Sequence, residues 1–205
     1  MSVPQFHHRF VAGRSGRTLL LLHGTGSDET DLLSLGQTVD PDAALLSPRG
    51  QVLENGMPRF FRRLAEGVFD EEDVKRRADE LADFIDDAAS LYQFDQSKLI
   101  AVGYSNGANI ASAILLLRPG TFHGAALLRA MVPFVPEQLP DLGGAPVLIS
   151  SGEHDPIIPL ENAQRLAALL RRAGAEVQTE VEDAGHNLTP ETVATTSAWL
   201  TALAR

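Results

Sequence analysis

A serine between two glycines stands at the end of an apolar run in this chain, and its surroundings are typical of a nucleophile. The segment Gly103-Tyr104-Ser105-Asn106-Gly107 matches the pattern G-x-S-x-G. The apolar run KLIAVG precedes it, and the helical segment ANIASAILLL follows it. This strand–turn–helix context is what the pattern requires to present a serine hydroxyl at a sharp turn. Glycines on either side relieve crowding because they carry no Cβ. We therefore predict Ser105 as the nucleophile.

A serine hydroxyl becomes a good nucleophile when a base removes its proton, and the sequence offers six histidines for that role. His186 lies in EDAGHNLTPE, between the last predicted strand and the last predicted helix. Loops at the carboxyl ends of strands are where the functional groups of an open α/β sheet collect. We therefore predict His186 as the general base. We expect the other histidines to have structural or surface positions. His23 would support a turn, and His123 would lie at the opposite end of the sheet. His154 is adjacent in sequence to Asp155, and His7 and His8 would be solvated.

An acid that orients the base should lie between the serine and the histidine in chain order for this kind of fold. Asp155, in VLISSGEHDPIIP, follows another predicted strand and precedes a proline. Asp183 is the alternative, since it is closer to His186 in sequence, but an aspartate at a strand end is commonly a solvated turn residue. We predict Asp155, which would fix the imidazole tautomer and stabilise the imidazolium.

The remaining requirement is stabilisation of negative charge on the reacting carbonyl oxygen. The segment LLLLHGTGSDE ends a predicted strand in a glycine-rich turn, from which a backbone N–H can point into the site. We predict that the N–H groups of Thr25 and Asn106 form an oxyanion hole, Asn106 being the residue after the nucleophile.

Length and composition limit the classes of protein. The 205 residues are enough for a sizeable core, and we expect residues 1–205 to form a single domain. The chain has no cysteine, which excludes disulfides and thiolate chemistry. A net charge of −10 argues against binding to a phosphate backbone, and no apolar run approaches the roughly 20 residues of a membrane span. With no segment typical of a signal peptide, we expect a soluble cytoplasmic protein without nucleic-acid partners or membrane insertion.

Short apolar runs alternate with segments of helical period along the chain. The predicted strands are residues 18–22, 43–47, 99–102, 124–128, 146–150 and 176–181. Apolar spacing predicts helices in residues 74–89, 108–117 and 160–173, and a last helix that begins at the cap Thr189 with Pro190 in its first position. This alternation predicts an α/β fold with a mostly parallel central sheet and helices on both faces.

Residues 48–70 form the one long stretch in which no element is predicted, and long loops in compact domains are often functional. Met57 and Phe60 in this stretch could wall an acyl site, with Ile158 opposite. The alternative is that such phenylalanines attach the loop to the core. No segment is long enough for a large helical cap, so we expect an open and shallow pocket.

These motifs resemble those of the α/β-hydrolases, and more narrowly the phospholipase/carboxylesterase family that includes acyl-protein thioesterases and related bacterial esterases. The resemblance spans nearly the whole chain and rests on LLLHGTGSDETDLL, SPRG, GYSNGANIA, SGEHDPIIP and GHNLT. It implies an α/β-hydrolase fold with a triad of Ser105, Asp155 and His186 and an oxyanion hole at Thr25 and Asn106. The typical thioesterase turn reads GFSQGG where this chain has GYSNGA. The stretch ENGMPRFFRR with GVFDEED instead resembles a bacterial carboxylesterase subgroup, some of whose members are linked to quinone-responsive operons.

The predicted function is that of a serine carboxylesterase acting on short- to medium-chain esters or thioesters of small molecules, without a metal or cofactor. The family resemblance alone suggests a homodimer. A lysophospholipase or a dienelactone-type hydrolase would use the same triad, and a binding protein that kept the fold but lost the chemistry is a further alternative. A metal-dependent hydrolase is disfavoured because the sequence has no metal-ligand spacing such as H-x-x-x-H.

Overall fold

The computed structural model describes residues 6–203, and its centre is a sheet whose inner strands are apolar on both faces. In the strand that precedes His23, every residue from Leu19 to Leu22 is fully buried. Leu19 and Leu21 pack into one apolar cluster, and Leu20 and Leu22 pack into another. Successive side chains of a strand point to opposite faces, so a strand of this kind is buried only when helices cover both sides of the sheet.

Seven strands form this sheet, and four shorter ones lie outside it, within residues 6–203. In chain order they are β1 (His8–Val11), β2 (Thr18–Leu22), β3 (Ala44–Pro48), β4 (Val52–Glu54), β5 (Met57–Arg59), β6 (Arg63–Ala65), β7 (Val68–Phe69), β8 (Leu99–Tyr104), β9 (Gly124–Leu128), β10 (Pro146–Gly152) and β11 (Glu176–Glu182). The sheet order is β1-β3-β2-β8-β9-β10-β11, and all its neighbours are parallel except β1 and β3. The six predicted strands are confirmed, with ends that differ by at most two residues.

Helices cover both faces of the sheet. They are α1 (Leu33–Val39), α2 (Glu71–Tyr92), α3 (Asn106–Leu117), α4 (Leu160–Arg172) and α5 (Pro190–Ala202). Side chains of α2, α3 and α4 belong to one apolar cluster, and those of α1 and α5 belong to the other. The predicted α/β architecture is therefore confirmed, as is the cap of α5, where Thr189 and Thr192 exchange side-chain and backbone hydrogen bonds. Among residues 6–203, no helix combines the length and the apolar character needed to cross a membrane.

Outside the 48–70 stretch, the strand β1 and the helix α1 were not predicted. β1 is an edge strand that pairs with β3, and its His8 bonds through Nε2 to the Tyr92 hydroxyl and through Nδ1 to the Phe6 carbonyl oxygen, both at 2.7 Å. The expectation that His8 is solvated is therefore wrong, because β1 holds it against the end of α2. Helix α1 has only seven residues, with Gly36 in its interior, so its helical pattern is weak.

The stretch 48–70 contains two short antiparallel hairpins where the sequence prediction has a loop. The first pairs β4 with β5, and the second pairs β6 with β7. Asn55 and Gly56 join β4 to β5 with φ values of 52° and 81°. Positive φ at both central residues is characteristic of the type I′ turn, for which Asn-Gly is the preferred sequence. That dipeptide is the signal from which the first hairpin could have been predicted.

Two side chains attach this stretch to the end of the sheet. The Gly50 N–H donates to Nε2 of His23 (3.0 Å), and Nδ1 of His23 lies 2.7 Å from the Gly24 carbonyl oxygen. These contacts require a neutral imidazole with its proton on Nδ1, and burial lowers the pKa of His23 accordingly. The Phe60 N–H donates to Oδ1 of Asn106 (2.7 Å). His23 thus supports a turn, as predicted.

Helix α3 begins so close to the sheet that two positions accept only glycine. A Cβ on Gly107 would lie 1.9 Å from the Leu22 carbonyl oxygen, and one on Gly103 would lie 2.6 Å from the Gly107 carbonyl oxygen. Ser105 between them has φ 52° and ψ −112°. Residues other than glycine rarely adopt positive φ, and those that do cluster at functional sites. The crowding predicted around Ser105 is therefore confirmed.

Replacing Gly107 by alanine should destabilise the protein by about 3 kcal/mol, because the new methyl group overlaps backbone that cannot move without displacing β2. Gly120→Ala is the matched control: a Cβ there meets nothing within 4 Å, so it should cost only the about 1–2 kcal/mol of a left-handed alanine. Urea unfolding followed by the fluorescence of Trp199 measures both. Equal losses in the two variants would contradict the steric account.

The neutral state of His23 predicts a pH dependence of folding stability. The unfolded histidine takes up a proton near pH 6.5, whereas the buried imidazole resists protonation, so the unfolded state binds more protons below that pH. The free energy of unfolding should therefore fall as the pH is lowered from 7.5 to 5.5, by up to about 1.4 kcal/mol per pH unit. His23→Gln should be less stable at pH 7.5 and show a shallower slope. Parallel slopes in urea titrations would rule out His23 as the source.

Candidate active site

Three side chains from the ends of three parallel strands form one hydrogen-bonded series. Ser105 directly follows β8, Asp155 lies three residues after β10, and His186 lies four residues after β11. Nε2 of His186 is 3.0 Å from Oγ of Ser105, and its Nδ1 is 2.7 Å from Oδ2 of Asp155. The carboxyl ends of these strands share one edge of the sheet, which brings together residues that are 31 and 81 positions from His186 in sequence.

The Asp155 carboxylate is held in one orientation. Its side chain is 2% exposed, and Oδ1 accepts the backbone N–H groups of Ile157 (2.8 Å) and Ile158 (3.0 Å). Oδ2 is left to accept the proton on Nδ1 of His186. This arrangement selects the tautomer in which Nε2 faces the Ser105 hydroxyl as an acceptor.

The alternatives considered from the sequence lie elsewhere. Asp183 is 90% exposed and pairs with the exposed His154 (3.0 Å), so it does not compete with Asp155 for His186. His123 donates its backbone N–H to the carbonyl oxygen of Leu99, the first residue of β8. It therefore lies at the opposite edge of the sheet, as predicted.

The backbone around Ser105 is fixed from both sides. Its N–H donates to the Leu128 carbonyl oxygen at the end of β9 (2.8 Å), and its carbonyl oxygen accepts the Asn109 N–H (3.0 Å), which is the first hydrogen bond of α3. The serine therefore stands directly before the N-terminus of a twelve-residue helix. The partial positive charge at that end of a helix favours negative charge on an adjacent oxygen.

The backbone N–H groups of the two predicted oxyanion-hole residues, Thr25 and Asn106, have no acceptor in the described part of the protein. Both side chains are engaged instead: Oγ1 of Thr25 accepts from Nη1 of Arg59 (2.9 Å), and Oδ1 of Asn106 accepts from the Phe60 N–H. The side-chain bonds hold the two residues in place, and the prediction that their backbone N–H groups form an oxyanion hole remains a prediction.

The three residues suggested as pocket walls differ in exposure. Met57 is 40% exposed, and its side chain lies against Gly26 in the turn after β2. Ile158 is buried, while its neighbour Ile157 is 44% exposed. Phe60 is 2% exposed and its ring centroid is 4.8 Å from that of His23. The burial of Phe60 favours the alternative given with the prediction, that this phenylalanine attaches the 48–70 stretch to the core.

Tyr104 is a residue of the site that the sequence analysis did not single out. Its hydroxyl donates to the carbonyl oxygen of His186 (3.2 Å), and its ring centroid is 5.5 Å from that of the imidazole. Burial raises the pKa of the Tyr104 phenol, which keeps it a donor at neutral pH. Its place as the residue before the serine in G-x-S-x-G is the signal that could have identified it.

The described residues offer acid–base groups at this edge of the sheet and no metal site. Within residues 6–203, no group of three or more histidine, aspartate or glutamate side chains is arranged to hold a metal ion. A second concentration of charge lies beneath the loop of His186, where the guanidinium of Arg129 contacts the Glu182 carboxylate at 3.1 Å.

Comparison with known proteins agrees with this architecture. The phospholipase/carboxylesterase family model matches residues 11–204. MhqD of Bacillus subtilis (strain 168), which carries the provisional name of a hydrolase, is 50% identical over 192 residues, covering 94% of this chain and 96% of MhqD.

Two solved carboxylesterases are similar over almost the whole chain. The Bacillus cereus carboxylesterase superimposes with a TM-score of 0.92 at 47% identity, covering 95% of this chain and 92% of that one. The carboxylesterase of Mesorhizobium loti gives 0.87 at 34% identity, covering 92% and 90%. With its mostly parallel sheet, its helices on both faces and its match along residues 11–204, this chain belongs to the phospholipase/carboxylesterase family of α/β-hydrolases.

Proposed function

We propose that this chain is a serine carboxylesterase that hydrolyses short- to medium-chain carboxylic esters or thioesters through an acyl-enzyme, with residues 1–205 acting as one catalytic domain. The observation that carries the proposal is the hydrogen-bonded series from Ser105 through His186 to Asp155, with contacts of 3.0 and 2.7 Å. Membership of a carboxylesterase family and similarity to two carboxylesterase structures support ester bonds as the target.

In the proposed acylation, Oγ of Ser105 attacks the acyl carbon while Nε2 of His186 takes the hydroxyl proton. Asp155 stays ionised and stabilises the imidazolium through Nδ1. The N–H groups of Thr25 and Asn106 donate to the oxygen on which negative charge develops, and one such donor is typically worth about 2.7–4 kcal/mol in the transition state. The bond to the leaving alcohol or thiol then breaks, and His186 returns its proton to that group.

Deacylation uses the same residues in reverse. His186 takes a proton from water, the water oxygen attacks the acyl carbon of the Ser105 ester, and the carboxylic acid leaves as the serine regains its proton. In every proton transfer His186 is either the donor or the acceptor, so the proposed cycle uses no metal or cofactor.

Apolar contacts are the proposed means of substrate selection. Met57 and Ile157 expose 40% and 44% of their surface on segments that adjoin the turn of Thr25 and the Asp155 carboxylate. The net charge of −10 disfavours strongly anionic substrates. We therefore expect uncharged acyl groups that are short enough to lie in an open site.

Ser105→Ala should lower kcat for p-nitrophenyl esters by at least about 10⁴-fold, because a triad without its nucleophile retains only binding and charge stabilisation. The assay uses the series from acetate to dodecanoate, and the best chain length measures the depth of the pocket. Ser90→Ala, which removes an exposed hydroxyl on α2, is the control and should match the wild type. Equal activity in wild type and Ser105→Ala would refute the proposed nucleophile.

Asp155→Asn should lower kcat by about 10⁴-fold while changing KM little, because an amide favours the wrong tautomer of His186. Asp183→Asn is the matched control, since that carboxylate is exposed and pairs with His154. It should leave kcat within twofold of wild type. A larger loss from Asp183→Asn than from Asp155→Asn would reverse the assignment, and loss of wild-type activity on adding a chelator would point to metal-dependent chemistry.

A further inference from the structure

A buried arginine that takes no part in the proposed chemistry lies directly beneath the loop of His186. Arg129 follows β9, and its side chain is fully buried. A buried cation is costly unless it is paired and hydrogen-bonded, so its retention there requires a reason. Its hydrogen bonds show what it holds.

The guanidinium contacts the backbone on both sides of the imidazole. Nε of Arg129 donates to the Gly185 carbonyl oxygen (3.1 Å), and Nη2 donates to the Asn187 carbonyl oxygen (3.2 Å). Gly185 and Asn187 are the neighbours of His186 in sequence. The planar guanidinium of Arg129 therefore fixes the conformation of the backbone that carries the His186 imidazole.

Glu182 pairs with the Arg129 guanidinium and holds it in this orientation. Its carboxylate accepts from Nη2 of Arg129 (3.1 Å) and from the hydroxyls of Ser150 (2.8 Å), Thr189 (2.6 Å) and Thr192 (2.8 Å). Although burial acts to raise the pKa of Glu182, these hydrogen bonds together hold it below its ordinary value. The pair is therefore ionised at neutral pH and has one well-defined geometry.

The backbone of Arg129 connects the same network to the nucleophile. Its φ is 57°, a conformation rarely adopted by a long side chain. Its N–H donates to the Ser150 carbonyl oxygen, and the preceding carbonyl, that of Leu128, accepts the N–H of Ser105, both at 2.8 Å. One short segment therefore fixes the serine through the backbone and the histidine loop (residues 183–189) through the side chain.

We propose that Arg129 is a positioning residue that sets the distance and direction of the His186 imidazole relative to Ser105 and Asp155. The inference rests on the proposed function, since it assigns His186 the proton transfers. An ion pair with a purely structural role needs no bond to the carbonyls that flank the histidine. Lysine keeps the charge but not the planar fork, so it cannot make all of the bonds to Gly185, Asn187, Ser150 and Glu182 at once.

The test compares Arg129→Lys and Arg129→Met with the wild type, using the best p-nitrophenyl ester and counting active sites with a fluorophosphonate. We expect kcat per active site to fall by about 10- to 100-fold in Arg129→Met and less in Arg129→Lys, with KM within twofold, because misplacing a catalytic group by about 1 Å costs rate and not binding. Arg118→Met, which removes a partly exposed arginine paired with Asp83, is the control and should have the kcat of the wild type. If Arg129→Met does not fold, the comparison of kcat between Arg129→Lys and the wild type is the test.

A double-mutant comparison separates positioning from general damage. In a His186→Ala background, adding Arg129→Lys should leave the residual rate unchanged, whereas a structural defect would lower it again. The downfield proton resonance of the His186 Nδ1–H bonded to Asp155 gives a readout that does not depend on turnover, and it should shift or disappear in Arg129→Lys. An unshifted resonance, or kcat equal to wild type in both Arg129 variants, would overturn the inference. Equal rates in wild type and Ser105→Ala would instead overturn the proposed function.

Discussion

The close approach of helix α3 to the end of β2 is the constraint on which the rest of the site depends. The space between them admits no side chain at Gly107, where a Cβ would overlap the Leu22 carbonyl group. Because the helix begins there, the turn before it has to be sharp, and Ser105 adopts positive φ at its apex. The same approach brings the N-terminus of α3 against the residues that follow β2, from which the second proposed oxyanion donor comes. A looser junction would move Ser105 and Asn106 away from Thr25.

Polar side chains that bind loop backbone, and not apolar packing alone, hold the segments around this junction. Asn106 accepts the Phe60 N–H, Asn109 accepts the Met131 N–H, and His23 accepts the Gly50 N–H. Each of these side chains is buried, so the loop it binds is attached at a single well-defined point. The Arg129 side chain also binds loop backbone, but it donates its hydrogen bonds to carbonyl oxygens. Each of these side chains therefore pairs one polar group of a loop whose backbone is irregular.

The parts of the fold that could be predicted are those with a strong local pattern. Strands buried on both faces appear as short apolar runs, whereas β1, with the half-polar sequence HRFV at the sheet edge, does not. Ser105, Asp155 and His186 could be proposed because each follows a predicted strand and their order is informative. Arg129 could not, since its role depends on partners up to 63 residues away and on an unusual φ that its type does not signal. The role of Phe60 stayed open, because sequence does not distinguish a phenylalanine buried in the core from one that faces a pocket.

The parallel sheet also determines when the site comes into existence during folding. Parallel strands can pair only after a crossover connection has formed, so nearly every strand pairing that supports the site is non-local. Chains dominated by such contacts fold slowly, because loop-closure entropy is lost before the pairing is gained. The loop of His186 follows β11, which is an edge strand of the sheet. Ser105, His186 and Asp155 therefore come together only once β11 has docked on β10. No fragment that ends before β11 can contain all three, so a chain emerging from the ribosome brings the three residues together only after β11 and the loop of His186 have folded.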